Sequence, residues 1–185
     1  MTKKDKLIKT AKKLFSEKGF YGTPTAMIAK DAGVSNGILF HYYPTKNDLI
    51  NALYSDVKEQ LFQYIQAQTY LGATFKESLF TLWLATVEWQ MEHPDDFDFM
   101  LQYEHSPFFN QEIERTTSYT QLLTSIIDRG SEQKILKQID AQLVIRLMES
   151  TMYTTVKFLR QNPDKEGDFA LRANLFDMAW DAVKR

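Results

Sequence analysis

Asn36, Gly37, His41, Tyr42 and Lys46 fall within one short stretch of the chain and together offer the chemistry of nucleic-acid recognition. A carboxamide presents a base edge with a donor and an acceptor at once, and a glycine beside it allows close approach. His41 and Tyr42 can reach a phosphate or a base, and Lys46 adds positive charge beside a phosphate backbone. Taken singly, each has a plainer role: a lysine at a helix start is usually solvated, and a lone histidine is a surface or core polar group. Their joint spacing is what selects DNA. The residues that catalysis would need are missing. There is no cysteine, the three histidines (His41, His93, His105) are scattered, and no glycine-rich phosphate loop occurs. His93, Asp95, Asp96 and His105 match no metal-ligand spacing, and Pro94 interrupts them. No enzyme, metal or cofactor is expected.

Such a contact set needs short helices to position it, and the surrounding sequence supplies them. Leu7, Ile8, Ala11, Leu14 and Phe15 recur at three- and four-residue steps, so 3–18 is an amphipathic helix that Gly19 stops. Thr23 is expected to cap a second helix opening at Pro24, with Ala26, Ile28, Ala29 and Ala32 as its small-residue face. Gly33 supplies the unusual backbone angle of a tight turn, and Val34 is an apolar plug. Ser35 caps a third helix over 36–42, with Phe40 and Tyr43 expected in the core. After Pro44, Thr45-Lys46-Asn47-Asp48 opens a long fourth helix in the manner of a capping box. Further helices are predicted over 74–93, 95–104, 108–128 (ending near Gly130), 140–161 and 167–184. Strand signals are absent, so the fold class is all-α.

Charge divides the chain. Residues 1–50 carry nine lysines against four acids, a balance of +5, and the remainder balances at −7, within a net charge of −2. A basic head on an acidic body suits a phosphate contact confined to one end.

From Leu7 to about Tyr54 the chain resembles the N-terminal domain of TetR-type transcriptional repressors. The resemblance is carried by Ala11, Leu14, Phe15, Gly19, Gly22, Thr25, Ile28, Ala29, Ala32-Gly33-Val34-Ser35, Gly37, Leu39-Phe40-His41-Tyr42-Tyr43, Lys46 and Leu49. It implies a three-helix helix-turn-helix head (1–48) and a six-helix ligand-binding and dimerisation body (49–185). It places Thr25, Ser35, Asn36, Gly37, Ile38, His41, Tyr42 and Lys46 where the family touches DNA. Two positions depart from the commonest pattern: Ile38 replaces a frequent threonine, and Phe40 a frequent tyrosine.

The body carries a second signal. Between Lys76 and Arg115 there is no Lys or Arg, but nine acids and eight aromatics. Aromatic faces beside carboxylates favour bulky apolar cations, although aromatics at helical spacing are mostly core. The segments around 40–54 and 83–94 also resemble the multidrug-sensing RamR-like type of the family. That resemblance puts Tyr54 and Trp83 against a flat ligand, with Trp89, Met100, Tyr103 and Tyr153 as further candidates. Phe169, Ala173, Phe176, Trp180 and Val183 form one apolar seam, and Leu143, Leu147, Met148, Met152, Val156 and Leu159 form another. Packing within the chain can use both, so the homodimer is implied mainly by the resemblance. No signal peptide or membrane span is expected, which points to the cytoplasm. The function expected is a ligand-responsive repressor released from a near-palindromic operator. The competing reading is a helical protein-interaction module without DNA binding.

Overall fold

The computed structural model describes residues 2–68 and 74–185. They form ten α-helices, and no strand occurs among the described residues. In chain order these are α1 (Lys3–Lys18), α2 (Thr25–Asp31), α3 (Asn36–Tyr42), α4 (Lys46–Gln68), α5 (Phe75–Glu92), α6 (Pro94–Glu104), α7 (Gln111–Thr116), α8 (Ser118–Glu132), α9 (Ala141–Gln161) and α10 (Phe169–Val183). No helix among the described residues is long and apolar enough to cross a membrane. Contacts divide the chain into two units: residues 1–58 with 93–115, and residues 59–92 with 116–185. Helix α4 contributes to both.

In the first unit, Leu7, Ala11, Leu14 and Phe15 of α1 are buried together with Leu39 of α3, Leu49 and Leu53 of α4, and Phe97 and Phe99 of α6. Thus the expected DNA-binding segment 1–48 lies within a larger compact body, because α6 packs on α1. Lys12 Nζ meets Asp96 Oδ1 at 2.7 Å, with side-chain exposures of only 17% and 8%. Gln102 Nε2 donates to Ser16 O at 3.4 Å. The Phe15, Phe20 and Phe99 rings meet at 5.1–6.4 Å between centroids. Asp96 also sits in the first turn of α6, where a negative charge is favoured.

In the second unit, α9 packs against α5, α8 and α10. Its buried side is Val144, Ile145, Met148, Met152, Val156 and Leu159. Opposite them stand Leu82 and Trp83 of α5, Tyr119, Leu123 and Ile127 of α8, and Phe176, Trp180 and Val183 of α10. Backbone bonds from Lys137 N to Val183 O and from Arg185 N to Ile135 O tie the end of α10 to the α8–α9 connection.

Several expectations about the elements need correction. The single helix expected over 108–128 is two, α7 and α8. Thr117 has extended backbone angles (φ −65°, ψ 142°) and its hydroxyl caps α8 by accepting from Thr120 N. Gly130 does not end α8, which runs on to Glu132. A Cβ there would come within 2.5 Å of Phe75 Cζ and 2.8 Å of Leu136 Cδ1, so the glycine answers to packing. Thr23 does not cap α2: its buried hydroxyl donates to Leu14 O and Gly19 O, and Pro24 stands at the N-cap without a side-chain bond. The α10 seam faces inward, with Phe176, Trp180 and Val183 buried, and so do Met148, Met152, Val156 and Leu159 of α9. The apolar residues left outward are Leu143, Leu147 and Phe158 on α9, and Phe169 and Met178 on α10.

Breaking a buried ion pair strands a charge, whereas replacing both partners by apolar groups removes the cost. Lys12→Ala should therefore lower the unfolding free energy by about 3 kcal/mol. The Lys12→Met, Asp96→Leu pair should recover most of it. Urea denaturation checks this, and equal loss in the single and double variants would refute it.

Candidate nucleic-acid interface and effector residues

The turn between α2 and α3 is built as its sequence requires. Gly33 has φ 68°, the left-handed region that glycine enters without a Cβ penalty. Val34 N then donates back to Ala29 O at 2.9 Å, closing the turn. Ser35 has extended angles, and its Oγ accepts from Ile38 N at 3.3 Å, which starts α3. Leu39 and Tyr43, one turn apart, set the inward face of α3.

That inward pair decides what is offered outward. Of the expected DNA contacts, Ser35, Asn36, Gly37, His41 and Tyr42 are exposed, while Thr25, Ile38 and Lys46 are half-buried. A side chain on Gly37 would meet only Ser35 Oγ, at 3.8 Å, so this flank of α3 is open. Phe40, expected in the core, is instead 44% exposed. It stands one turn from Asn36 and Gly37, so it shares their side of α3, away from Leu39. Helical spacing alone could have shown this, and Phe40 joins the outward set.

Lys46 has a second attachment. Its Nζ donates to Phe20 O and lies 5.9 Å from the centre of the Phe15 ring. Burial lowers its pKa from the usual lysine value. An ammonium has three hydrogens, so one bond to Phe20 O leaves room for a phosphate. The start of α4 is capped reciprocally, Thr45 N donating to Asp48 Oδ2 at 2.9 Å and Asp48 N to Thr45 Oγ1 at 3.1 Å. The ammonium is thereby held beside the turn that leads into α2.

The expected effector residues separate by unit. Tyr54, Met100 and Tyr103 are fully buried in the first. Tyr54 and Tyr103 stack with centroids 4.1 Å apart and planes at 23°. Tyr103 Oη donates to Asn51 Oδ1 at 2.7 Å and accepts from Asn110 N at 3.0 Å. Lys58, buried and missed by sequence reasoning, lies 5.5 Å from the centre of the Tyr54 ring. Its one-turn spacing from Tyr54 on α4 was the signal. Trp83, Trp89 and Tyr153 belong to the second unit. Trp83 Nε1 donates to Thr151 Oγ1 at 3.3 Å, with its ring edge-on to Phe176 at 6.0 Å. Trp89 is buried and Tyr153 half-buried. A pocket of about 320 Å³ in that unit is lined by Phe80, Phe176, Glu77 and the Lys76–Asp177 ion pair among others, and by none of the six expected residues.

Three short helices with a tight glycine turn between α2 and α3 and an outward polar α3 form a helix-turn-helix unit. Residues 7–53 match the family described as bacterial regulatory proteins, tetR family. Over its whole length the chain shares the fold of a tetR family transcription regulator from Shewanella sp. PV-4, with a TM-score of 0.94, 28% identity and 100% of each chain covered. It is also similar to the transcriptional repressor KstR2 of Mycobacterium tuberculosis H37Rv, at 24% identity over 86% of this chain and 82% of that protein. The transcriptional regulator FadR from Bacillus subtilis, solved in complex with stearoyl-CoA, shares the fold at a TM-score of 0.72 and 20% identity, with 94% of this chain and 96% of that one covered. The match to the tetR family thus lies in residues 7–53, and the chain as a whole has the fold of the Shewanella regulator.

Burial raises the pKa of both Tyr43 and Tyr103 above the usual 10.0. Asp56 and then Tyr42 add to the rise at Tyr43; at Tyr103 the Asn110 amide works against it and Glu114 adds to it. A phenol whose folded pKa is raised contributes stability that is complete below its unfolded pKa. That stability is lost as pH rises through 10 toward the folded value. In an absorbance titration at 295 nm, these two of the nine tyrosines should ionise only as helical circular dichroism collapses. Reversible ionisation of all nine near pH 10 in the folded chain would contradict this.

Proposed function

We propose that this regulator is a repressor that reads a near-palindromic operator through α3 and leaves it when a small aromatic effector binds. The observation that carries the DNA-reading half is the outward face of α3. Asn36, Gly37, His41 and Tyr42 are exposed beside Ser35, on a helix whose inward face is fixed by Leu39 and Tyr43. Thr25 and Lys46 flank it as phosphate contacts, and Ile38 and Phe40 offer apolar surface to a thymine methyl. Residues 1–48 act as the DNA-binding domain and 49–185 as the effector and dimerisation domain.

Tyr54, Met100 and Tyr103 are our choice of effector contacts in the first unit. In the second unit our choices are Trp83, on the strength of the RamR-like resemblance, and then Trp89 and Tyr153. The carboxylate-rich, aromatic stretch between Lys76 and Arg115 favours a flat cation. A second reading, an acyl thioester effector, is supported by the buried Lys58 and by the stearoyl-CoA bound to the B. subtilis regulator. In either case α4 transmits the signal, since one continuous helix begins at Lys46 and carries Tyr54 and Lys58. A homodimer formed through the outward apolar residues of α9 and α10 would set two copies of α3 about 34–36 Å apart, one turn of DNA. A shift of a few ångströms at α4 would end simultaneous engagement of both half-sites.

Fluorescence anisotropy on a duplex selected by the protein from a random pool tests the reading. Asn36→Ala should weaken binding by about 30-fold or more, as expected for one lost base contact of roughly 1–3 kcal/mol in each of two subunits. Unchanged affinity would sink the assignment of α3. Ethidium and stearoyl-CoA, added separately, decide the effector class by which of them releases the DNA. Release by neither would overturn both effector readings. Leu147→Glu should convert the dimer to a folded monomer in sedimentation analysis, and a dimer that persists would place the interface elsewhere.

A further inference from the structure

The loop joining α6 to α7 lies within the first unit and touches two things at once. At one end, Asn110 N donates to the Tyr103 hydroxyl at 3.0 Å, while Asn110 Oδ1 accepts from Glu112 N and Ile113 N at 3.0 and 3.2 Å, starting α7. At the other, the Phe108 ring stands 5.5 Å from Phe20 and 5.9 Å from Tyr21, edge-on to the first and tilted to the second. Ser106 braces the loop between them. Its hydroxyl donates to Tyr103 O at 2.8 Å and accepts from Phe108 N at 3.2 Å.

Phe20 is buried in the connection between α1 and α2. Its carbonyl receives the Lys46 ammonium, and its ring also meets Phe15 and Phe99. Tyr103 in turn bonds Asn51 of α4, and Asn51 Nδ2 donates to Asn47 Oδ1 at 3.2 Å, one turn nearer the start of that helix. Both branches therefore begin at one hydroxyl. One follows α4 toward Lys46, and the other crosses the α6–α7 loop to Phe20.

We propose that Tyr103 is a positioning residue for DNA binding. Its hydroxyl holds the α6–α7 loop so that Phe108 props Phe20, and this fixes the approach of the chain into the helix-turn-helix. α4 is then one of two routes into the head. The loop route depends on the reading of Tyr103 as an effector contact only where an effector is said to operate it: a ligand that parts the Tyr54–Tyr103 stack would also draw the hydroxyl off Asn110.

Hydrogen exchange on the free, full-length chain tests the route without any ligand. Tyr103→Phe keeps the stacked ring and removes only the hydroxyl. It should speed exchange of amides 20–33 by about fivefold, the effect of losing roughly one net hydrogen bond. Amides of α8–α10 should keep wild-type rates, which separates positioning from general loosening. Phe108→Ala should speed 20–33 similarly while Asn110 stays protected, and Phe108→Tyr, which keeps the ring, should restore wild-type rates. Wild-type exchange over 20–33 in both Tyr103→Phe and Phe108→Ala would overturn the proposal, as would equal acceleration throughout the chain. A companion titration with ethidium and stearoyl-CoA separates the two readings. If neither probe binds the wild-type chain, the effector assignment fails, while the exchange result on the free protein still decides the loop route.

Discussion

The contact on which the head depends is the buried pairing of Lys12 with Asp96. Two charges are withdrawn from water there, and their mutual attraction is recovered only while α6 lies along α1. The other contacts of α6 in the first unit go with that alignment. It brings Phe99 against Phe15 and Phe20, lets Gln102 reach Ser16 O, and carries Tyr103 to Asn51. A helix that the sequence assigns to the body is thereby committed, by electrostatics and aromatic packing, to the unit that holds the helix-turn-helix. Asp96 gains twice, from the lysine and from its place in the first turn of α6.

Much of the fold was legible because the signals were local. The apolar period of α1, the cap at Ser35, the reciprocal cap of Thr45 and Asp48, and the positive φ of Gly33 each depend on a handful of neighbouring residues. The structure places them as the sequence implies. What failed was what long-range packing decides. Thr23 has the side chain of a cap, but Leu14 O and Gly19 O, brought close by the end of α1, claim its hydroxyl. Thr117 breaks a segment whose apolar pattern runs on without interruption. Gly130 reads as a helix stop only until Phe75 and Leu136 are seen to press on it.

The candidate site shows the same limit at finer scale. Asn36, His41 and Tyr42 are polar on a short helix, and the structure leaves them exposed. Phe40 was misread because hydrophobicity was allowed to outweigh angle: a residue next to Leu39 on a helix is turned about 100° away from it. The apolar faces of α9 and α10 are legible as faces, but which of their residues turn inward is not: Phe176, Trp180 and Val183 are buried while Leu143, Leu147 and Phe169 stay exposed. A seam of Phe176, Trp180 and Val183 is as good for closing a subunit as for joining two, and periodicity cannot distinguish the uses. Lys58 lies one turn from Tyr54, which sequence spacing shows, but its burial against that ring follows only from the packing of the whole unit.

Lys46 carries two obligations on one nitrogen. Its bond to Phe20 O belongs to the architecture of the head, and its remaining hydrogens are those that the proposed phosphate contact would use. A substitution at this position therefore acts in two ways. A neutral residue loses the internal strut along with the external charge. An arginine keeps the charge, but its planar fork does not fit a strut that a compact ammonium makes. A variant that drifts here would change how firmly the connection between α1 and α2 is tied to the start of α4.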